Sequence, residues 1–410
     1  MVFIRSIKSI LKKISFPRLV GTKGEKAAAQ IITNFLKSNK YDVSIEKFTI
    51  PNPKLETIFS AYYLALFVMI SFSLFFSKIF ISVIVAIIFL IFRLNEYKIK
   101  LHISKIESQN IFACKKRNNK PILLITSHYD SSEIWNPFTR KHSFELDLFS
   151  SCLNIFRFFV VFLIGILMLA SILHFSFLLD IFNQTIILWL FVGCILSILF
   201  ITRFVFIFSS KNSLSSGADD NGSGVSISLY LAQLLKNKKF NFNINYLFLD
   251  AEEAGFLGAK NWIKMHKNKN GLVINLDILG RGNYFVLNKG WGYFLKTYAD
   301  IEITKKIKSI LKNKYFETWD LLTDAFIFSK NKFRVFSISR ANKRSVILIE
   351  KLLHKIFQIH NVDYKPSTKW NHTEDDIYEK IDIKKLNESK NIILKLIKNI
   401  DKTVANTRSF

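Results

Sequence analysis

The chain has 410 residues, half of them hydrophobic with 41 phenylalanines, and a formal net charge of +27. Three cysteines exclude a disulfide-stapled fold, because Cys152 and Cys194 fall in apolar runs and only Cys114 has polar neighbours. The basic excess is lysine scattered among asparagine and isoleucine without a nucleic-acid motif, which argues against a nucleic-acid partner and toward anionic lipid.

At the start, "FIRSIKSILKKIS" (residues 3–15) spaces Phe3, Ile7, Ile10, Leu11 and Ile14 at helical intervals, with Lys8, Lys12 and Lys13 between. That pattern predicts a basic amphipathic helix, lying either on a membrane surface or on the protein's own surface. Residues 21–50 read as a helix with Ala27, Ile31, Ile32 and Leu36 on one face, followed by a strand in the alternating "DVSIEKFTI". The apolar stretch from Ile58 to Phe92 is broken only at Ser77 and Lys78. As one helix it would measure about 50 Å against a hydrocarbon core of about 30 Å, so a hairpin of two spans is expected.

"KPILLITSHYD" (residues 120–130) is a short, fully apolar strand that stops at polar residues. A second apolar stretch, Phe158 to Phe208, turns at "LLDIFNQ" and predicts spans near 158–179 and 185–206. Four crossings place residues 1–56, 95–150 and 210–410 on one side of a bilayer, and their flanking Lys and Arg make it the cytoplasmic side. The expected placement is thus integral and multi-pass, with hairpins at 57–94 and 151–209 and the lipid bilayer as a partner.

"INYLFLDAEEAG" (residues 244–255) and "GLVINLDILG" (residues 271–280) repeat the design of the strand at 120–130, with helical stretches near 223–236 and 256–268. Continuous apolar strands alternating with helices predict an α/β fold: a mixed, largely parallel sheet sandwiched by helices, here with four inserted transmembrane helices. Sites in such sheets form at the carboxyl ends of strands. There the sequence places His128 and Asp130, then Glu252 and Glu253, then Asp277. The turn "SSGADDNGSGVS" (residues 215–226) adds Asp219 and Asp220, and "WNHTEDDIYEKI" (residues 370–381) adds His372.

Each group has an ordinary reading when taken singly. Either aspartate of the turn suits a helix cap near Ser223, and the glutamate pair suits a solvated turn. Asp277 is harder to place, since it sits between apolar residues where an unpaired carboxylate is costly. Jointly, nitrogen and carboxylate donors without thiolate suit zinc.

The segments "SHYDS" (127–131), "GADDNGSG" (217–224), "DAEEAGFLGA" (250–259), "INLDILG" (274–280) and "HTEDDIYEKI" (372–381) resemble, in order, those of the di-zinc aminopeptidase family, which includes glutamate carboxypeptidases and is related to glutaminyl cyclases. "PRLVGTKGEKAAAQII" is similar to the family's first helix. The resemblance implies two zinc ions, with His128 and Asp277 on one, Glu253 and His372 on the other, and Asp220 bridging. It implies Asp130 orienting a histidine ligand, Glu252 as the general base, and Asn221 and Ser223 satisfying the backbone of the turn. No further cofactor is expected.

The polar pieces would form a catalytic domain that hydrolyses N-terminal peptide bonds of a peptide substrate, a membrane-bound zinc-dependent exopeptidase. An inactive membrane scaffold of the same fold, a glutaminyl cyclase and a carboxypeptidase stay open. Two positions depart from the family: Ala325 in "LLTDAFIF", where relatives carry histidine or tyrosine, and Asn371, where tyrosine is frequent. Because the second hairpin falls between His128 and Asp220, the pocket is expected at the membrane surface.

Overall fold

The computed structural model describes residues 6–52, 95–115, 120–135, 210–266, 271–293, 295–346, 348–360 and 362–407, together with Leu55, Ile87 and Ile91. The chain divides into two compact units, Met1–Thr49 with Glu107–Ile134 and Asn212–Phe410, and Ile50–Ile106 with Trp135–Lys211. In the second unit the described residues include a helix over 95–103, in which Lys100 pairs with Glu96 at 2.5 Å one turn away.

In the first unit, α1 (Ile7–Ile14) and α2 (Lys23–Ser38) precede β1 (Asp42–Pro51) and β2 (Lys105–Cys114), which run on into the second unit. Next come β3 (Ile122–His128), β4 (Glu133–Trp135), β5 (Ser210–Leu214), α3 (Gly222–Leu235), β6 (Asn243–Leu249), α4 (Leu257–Met265) and β7 (Leu272–Leu276). The chain continues through β8 (Tyr284–Asn288), β9 (Gly290–Trp291), β10 (Thr297–Tyr298), α5 (Ile301–Leu311), β11 (Tyr315–Thr318), α6 (Asp324–Lys330) and β12 (Arg334–Ser345). It ends with α7 (Leu348–Ile356), β13 (Tyr364–Ser367) and α8 (Ile383–Thr407).

The main sheet runs β1-β2-β6-β3-β7-β12-β8-β11, with β13 paired to β12. Strands β6, β3, β7 and the first half of β12 are parallel, whereas β2 and β8 run against their neighbours β6 and β12. The central strands bury both faces, as their unbroken apolar sequences require. Ile125, Phe248 and Ile274 face α1, α2, α3, α5 and α8, while Leu124, Leu247 and Val273 face α4 and α6. This is a mixed α/β sandwich, and the carboxyl ends of β3, β6 and β7 lie side by side on one edge.

The helix ends follow local chemistry. Thr22 caps α2 by accepting from the Glu25 N–H, and Ser6 caps α1 by accepting from Ser9. The buried face of α2 is Ala28, Ala29, Ile32, Phe35 and Leu36; Ala27 is exposed and Ile31 only partly covered, a small rotation from the expected face. Alanine and isoleucine on both flanks made the stripe ambiguous. Where the chain leaves toward residue 136 and returns at 210, β4 and β5 form a two-stranded sheet, and the Ser215 N–H donates to the Ser132 carbonyl at 3.0 Å.

The four inserted transmembrane helices are corrected here. Among the described residues no helix is long and apolar enough to cross a membrane. Helix α8 has the length, at 25 residues, but carries a lysine at nearly every turn. The stretches 58–92 and 158–208 lie outside the described residues, apart from Ile87 and Ile91. The integral, multi-pass placement, its cytoplasmic orientation, the bilayer partner and the pocket at a membrane surface are withdrawn with them. The membrane-surface reading of α1 is withdrawn for a separate reason: Ile7, Ile10, Leu11 and Ile14 are buried in the protein core, where α1 packs on α3.

Candidate metal centre

Five side chains from five segments converge at the sheet edge. His128 is the last residue of β3, Asp277 follows β7, Glu253 lies on the turn after β6, Asp220 precedes α3, and His372 lies between β13 and α8. His128 Nε2 is 3.3 Å from Asp220 Oδ1 and 3.4 Å from Asp277 Oδ1. His372 Nε2 is 3.3 Å from Asp220 Oδ2 and 3.3 Å from Glu253 Oε1. One carboxylate therefore presents a different oxygen to each of two histidines.

These spacings test the fit to zinc. A tetrahedral ion with bonds of about 2.0–2.1 Å separates its ligand atoms by about 3.3–3.4 Å along each edge. The four measured spacings fall in that range. Asp277 Oδ1 and Glu253 Oε1 are moreover buried with no hydrogen-bond partner among the described residues, a costly state for a carboxylate unless a cation occupies the space between. The donor set fits the metal. Two groups of three ligand atoms lie within 4.8 Å of one another: His128, Glu252 and Asp277, and Asp220, Glu253 and His372.

Asp130, fully buried, braces the first group. Its Oδ1 lies 3.3 Å from His128 Nδ1, and its two oxygens accept from the Glu252 and Glu253 N–H groups at 3.2 and 3.1 Å. With Nδ1 turned to Asp130, Nε2 faces Asp220 and Asp277. Glu252 and Glu253 are partly exposed. As neighbours on one turn they diverge, Glu252 toward His128 and Asp277, Glu253 toward His372.

The glycine-rich turn has specific reasons for its composition. Gly217 has φ +54°, and a Cβ there would lie 2.5 Å from the Asp220 carbonyl oxygen and 2.6 Å from Ser131 Cβ. A Cβ on Gly224 would meet the Leu276 carbonyl at 2.5 Å, so glycine lets α3 approach the end of β7. Asn221, rather than either aspartate, caps α3: its Oδ1 accepts from Gly224 and Ile278, and its Nδ2 donates to the Leu276 carbonyl. Ser223 Oγ donates to the Asp219 carbonyl and accepts from the Leu279 N–H. Asp219 points away from the two histidines, accepting from the Gly280 N–H and from Trp370 Nε1. Burial pushes its carboxyl up to about 6 against those two donors.

The electrostatics are those of a concentrated anionic site. Burial opposes the charge of Asp220, yet His128 and His372 outweigh it and hold its carboxyl well below the usual range. Burial raises Glu252, with His128 opposing and Glu253, Asp324 and Asp277 adding to the rise. Burial likewise opposes charge on both histidines, but Glu252 beside His128 and Glu253 beside His372, with the other carboxylates, raise them well above the ordinary imidazole value.

Asp376 and Asp324 escaped sequence reasoning, and Asn371, singled out there as a departure from the family, makes a contact with the site. Asp376 accepts from the Asp219 and Asp220 N–H groups at 2.6 and 3.2 Å, tying the His372 segment to the turn. Asn371 Nδ2 donates to Asp220 Oδ2 at 3.0 Å, which occupies an oxygen that also faces His372. Asp324, at the start of α6, is buried with neither oxygen hydrogen-bonded among the described residues, and burial first, then Asp130, Asp277 and Glu253, push it up to about 8 against His128. The acid-rich "HTEDD" held a signal for Asp376; nothing in the local pattern marked Asp324.

The architecture is shared with solved enzymes. A Zn-dependent exopeptidase from Parabacteroides distasonis superposes with TM-score 0.54 at 15% identity, covering 96% of this chain and 96% of that one. The glutaminyl cyclase of Porphyromonas gingivalis does so with TM-score 0.51 at 14% identity, covering 96% and 97%. The chain therefore has the mixed α/β zinc exopeptidase fold.

Residues 205–397, which carry Asp220, Glu252, Glu253, Asp277 and His372, match the family model of Peptidase family M28. Similarity to curated proteins is shorter. It reaches 40% identity over 78 residues with the alkaline phosphatase isozyme conversion protein of Escherichia coli (strain K12), covering 18% of this chain and 23% of that protein. With aminopeptidase YwaD of Bacillus subtilis (strain 168) it is 34% over 70 residues, covering 16% and 15%. The chain thus matches less than a quarter of the length of these relatives.

Proposed function

We propose that this protein is a zinc-dependent exopeptidase that removes N-terminal residues from peptides. The observation that carries the reading is Asp220, whose two oxygens each lie 3.3 Å from a different histidine Nε2. In this reading His128 and Asp277 hold one ion, Glu253 and His372 hold the other, and Asp220 is shared. When bound, the pair of ions supplies Lewis-acid polarisation of a carbonyl and an acidified water.

The chain supplies the rest. Glu252 takes the proton from the attacking water and returns it to the leaving amine. Its backbone N–H is fixed on Asp130, which also faces the His128 ring, so base and ligand share one brace. Asn371 restrains the Asp220 carboxylate from the side of His372. Alanine at position 325, on the helix that begins at Asp324, is fully buried in the core and offers no side chain to a substrate.

The test is metal analysis of the purified chain together with release of amino acids from a peptide panel. Two zinc ions per chain and chelator-sensitive release of N-terminal residues are expected. Release of C-terminal residues would give the carboxypeptidase reading instead. Cyclisation of N-terminal glutamine with one ion would give the glutaminyl cyclase, and zinc without turnover a scaffold.

A further inference from the structure

We infer that Arg18, remote in sequence from every candidate ligand, is a positioning residue of the metal centre, clamping the loop after His128 to the loop before Asp220. The inference rests on the proposed metal site and adds to it a residue from the N-terminal segment.

Arg18 is fully buried. A buried guanidinium ordinarily faces a carboxylate, because taking the charge out of water is costly. Here the five hydrogen bonds of the guanidinium to described residues all go to main-chain carbonyls. Nε donates to Tyr129 at 2.7 Å, Nη1 to Ile14, to Phe16 at 2.7 Å and to Ser216 at 2.7 Å, and Nη2 to Gly217 at 2.9 Å. Three chain segments are gathered on one planar fork. Tyr129 sits between His128 and Asp130, and Gly217 opens the turn that ends in Asp220.

The backbone of Arg18 repeats the connection. Its N–H donates to Ser131 Oγ at 2.8 Å, its carbonyl accepts from the Ser131 N–H at 3.2 Å, and Ser131 Oγ donates onward to the Ser215 carbonyl at 3.0 Å. The same two loops are therefore joined twice through residue 18. Gly217 is shaped to receive the fork, since a Cβ there would lie 2.9 Å from Arg18 Nη2. Burial lowers the guanidinium to about 10, and Asp376, Asp130, Asp220 and Glu253 oppose that only in part and at longer range, without Arg18 occupying a ligand oxygen.

Metal geometry makes this consequential. Ligand distances in a workable site hold to within about 0.2 Å. His128 closes β3 while Asp220 lies on a turn, and the loops next to them are joined by the β4–β5 pairing and the Ser132–Ser215 bond at one end and by the Arg18 fork at the end nearer the ligands. The fork thus helps to set their separation. Lysine offers three donors from one point and cannot reproduce a planar clamp over carbonyls in separate segments.

The experiment measures zinc affinity of the full chain by competition with a chromophoric chelator, alongside thermal unfolding. Arg18→Met is expected to weaken zinc binding by about 10- to 100-fold, the range typical for groups that orient ligands, and Arg18→Lys by an intermediate factor. Leu11→Ala, on the buried face of α1, is the control: it lowers the unfolding temperature but leaves affinity within about threefold of the parent. An Arg18→Met protein with affinity within about threefold of the parent overturns the inference, as does equal loss in Leu11→Ala. If Arg18→Met fails to fold, Arg18→Lys decides by the same threshold. A parent chain that binds no zinc removes the metal site itself, and this inference with it.

Discussion

His128 Nε2 and Asp220 Oδ1 meet at 3.3 Å although one closes a central strand and the other lies on a glycine-rich turn before a helix. The other oxygen of Asp220 stands at the same distance from His372. A single carboxylate thus belongs to both halves of the site, and the halves should respond unequally to substitution.

Asp220→Ala is expected to abolish retention of both zinc ions, while Asp277→Ala keeps about one. Metal analysis after exhaustive dialysis reads the difference directly. Equal stoichiometry in the two variants would count against a shared ligand.

Glu252→Gln keeps the shape of the side chain and removes its basicity. The variant should bind zinc as the parent does and lose peptide cleavage by about 10²- to 10⁴-fold, the usual contribution of a positioned proton-transfer group. Loss of zinc in the variant would instead make Glu252 a ligand, as its place beside His128 and Asp277 allows.

Asp324 predicts a pH dependence of stability. Its carboxyl is pushed from the ordinary 3.8 to about 8 in the fold, so the folded protein binds that proton more tightly than the unfolded chain. The folded state is then least burdened below the unfolded value and loses stability as pH rises to about 8, beyond which the effect is level. Asp324→Asn removes this loss. Chelator-treated Asp324→Asn protein should exceed the parent by at least about 1 kcal/mol above pH 8, one pKa unit being worth about 1.4 kcal/mol. Parallel stability profiles for the two proteins would refute it.

Trp370→Phe removes the indole N–H that reaches Asp219 Oδ2 at 2.8 Å. Leaving that buried carboxylate one donor short costs about 1–3 kcal/mol, to be read from denaturant unfolding. A change below about 0.5 kcal/mol would mean that water replaces the indole donor.

The parts legible in the sequence were those where one physical demand determines the pattern. Strands β3, β6 and β7 are buried on both faces, so their residues are continuously apolar, and the polar residues that follow mark the sheet edge. The strands β8, β11 and β12 carry no such pattern. Tyr284–Asn288 and Tyr315–Thr318 are short, and β12 runs from apolar Val335 and Phe336 into Lys343 and Arg344. Hydropathy misled where it registers greasiness without saying what covers it. The pattern of α1 serves lipid and protein equally, and its partner here is α3. The role of Arg18 left no trace for a related reason, and "HTEDD" showed acids without showing that Asp376 meets the turn: both roles depend on loops brought close only by the fold.

The junction between β4 and β5 has a consequence for the architecture of the chain. Ser132 and Ser215 are joined across a hydrogen bond, so residue 132 departs and residue 215 returns at one point of the domain. A closed neck of this kind makes the length between its ends a free variable, since loop-closure entropy grows only slowly with length. Polypeptide can enter or leave a lineage at such a port while the ligands on either side keep their spacing. His128 and Asp220 flank the port, so the spacing of the ligands is fixed on the near side of the neck.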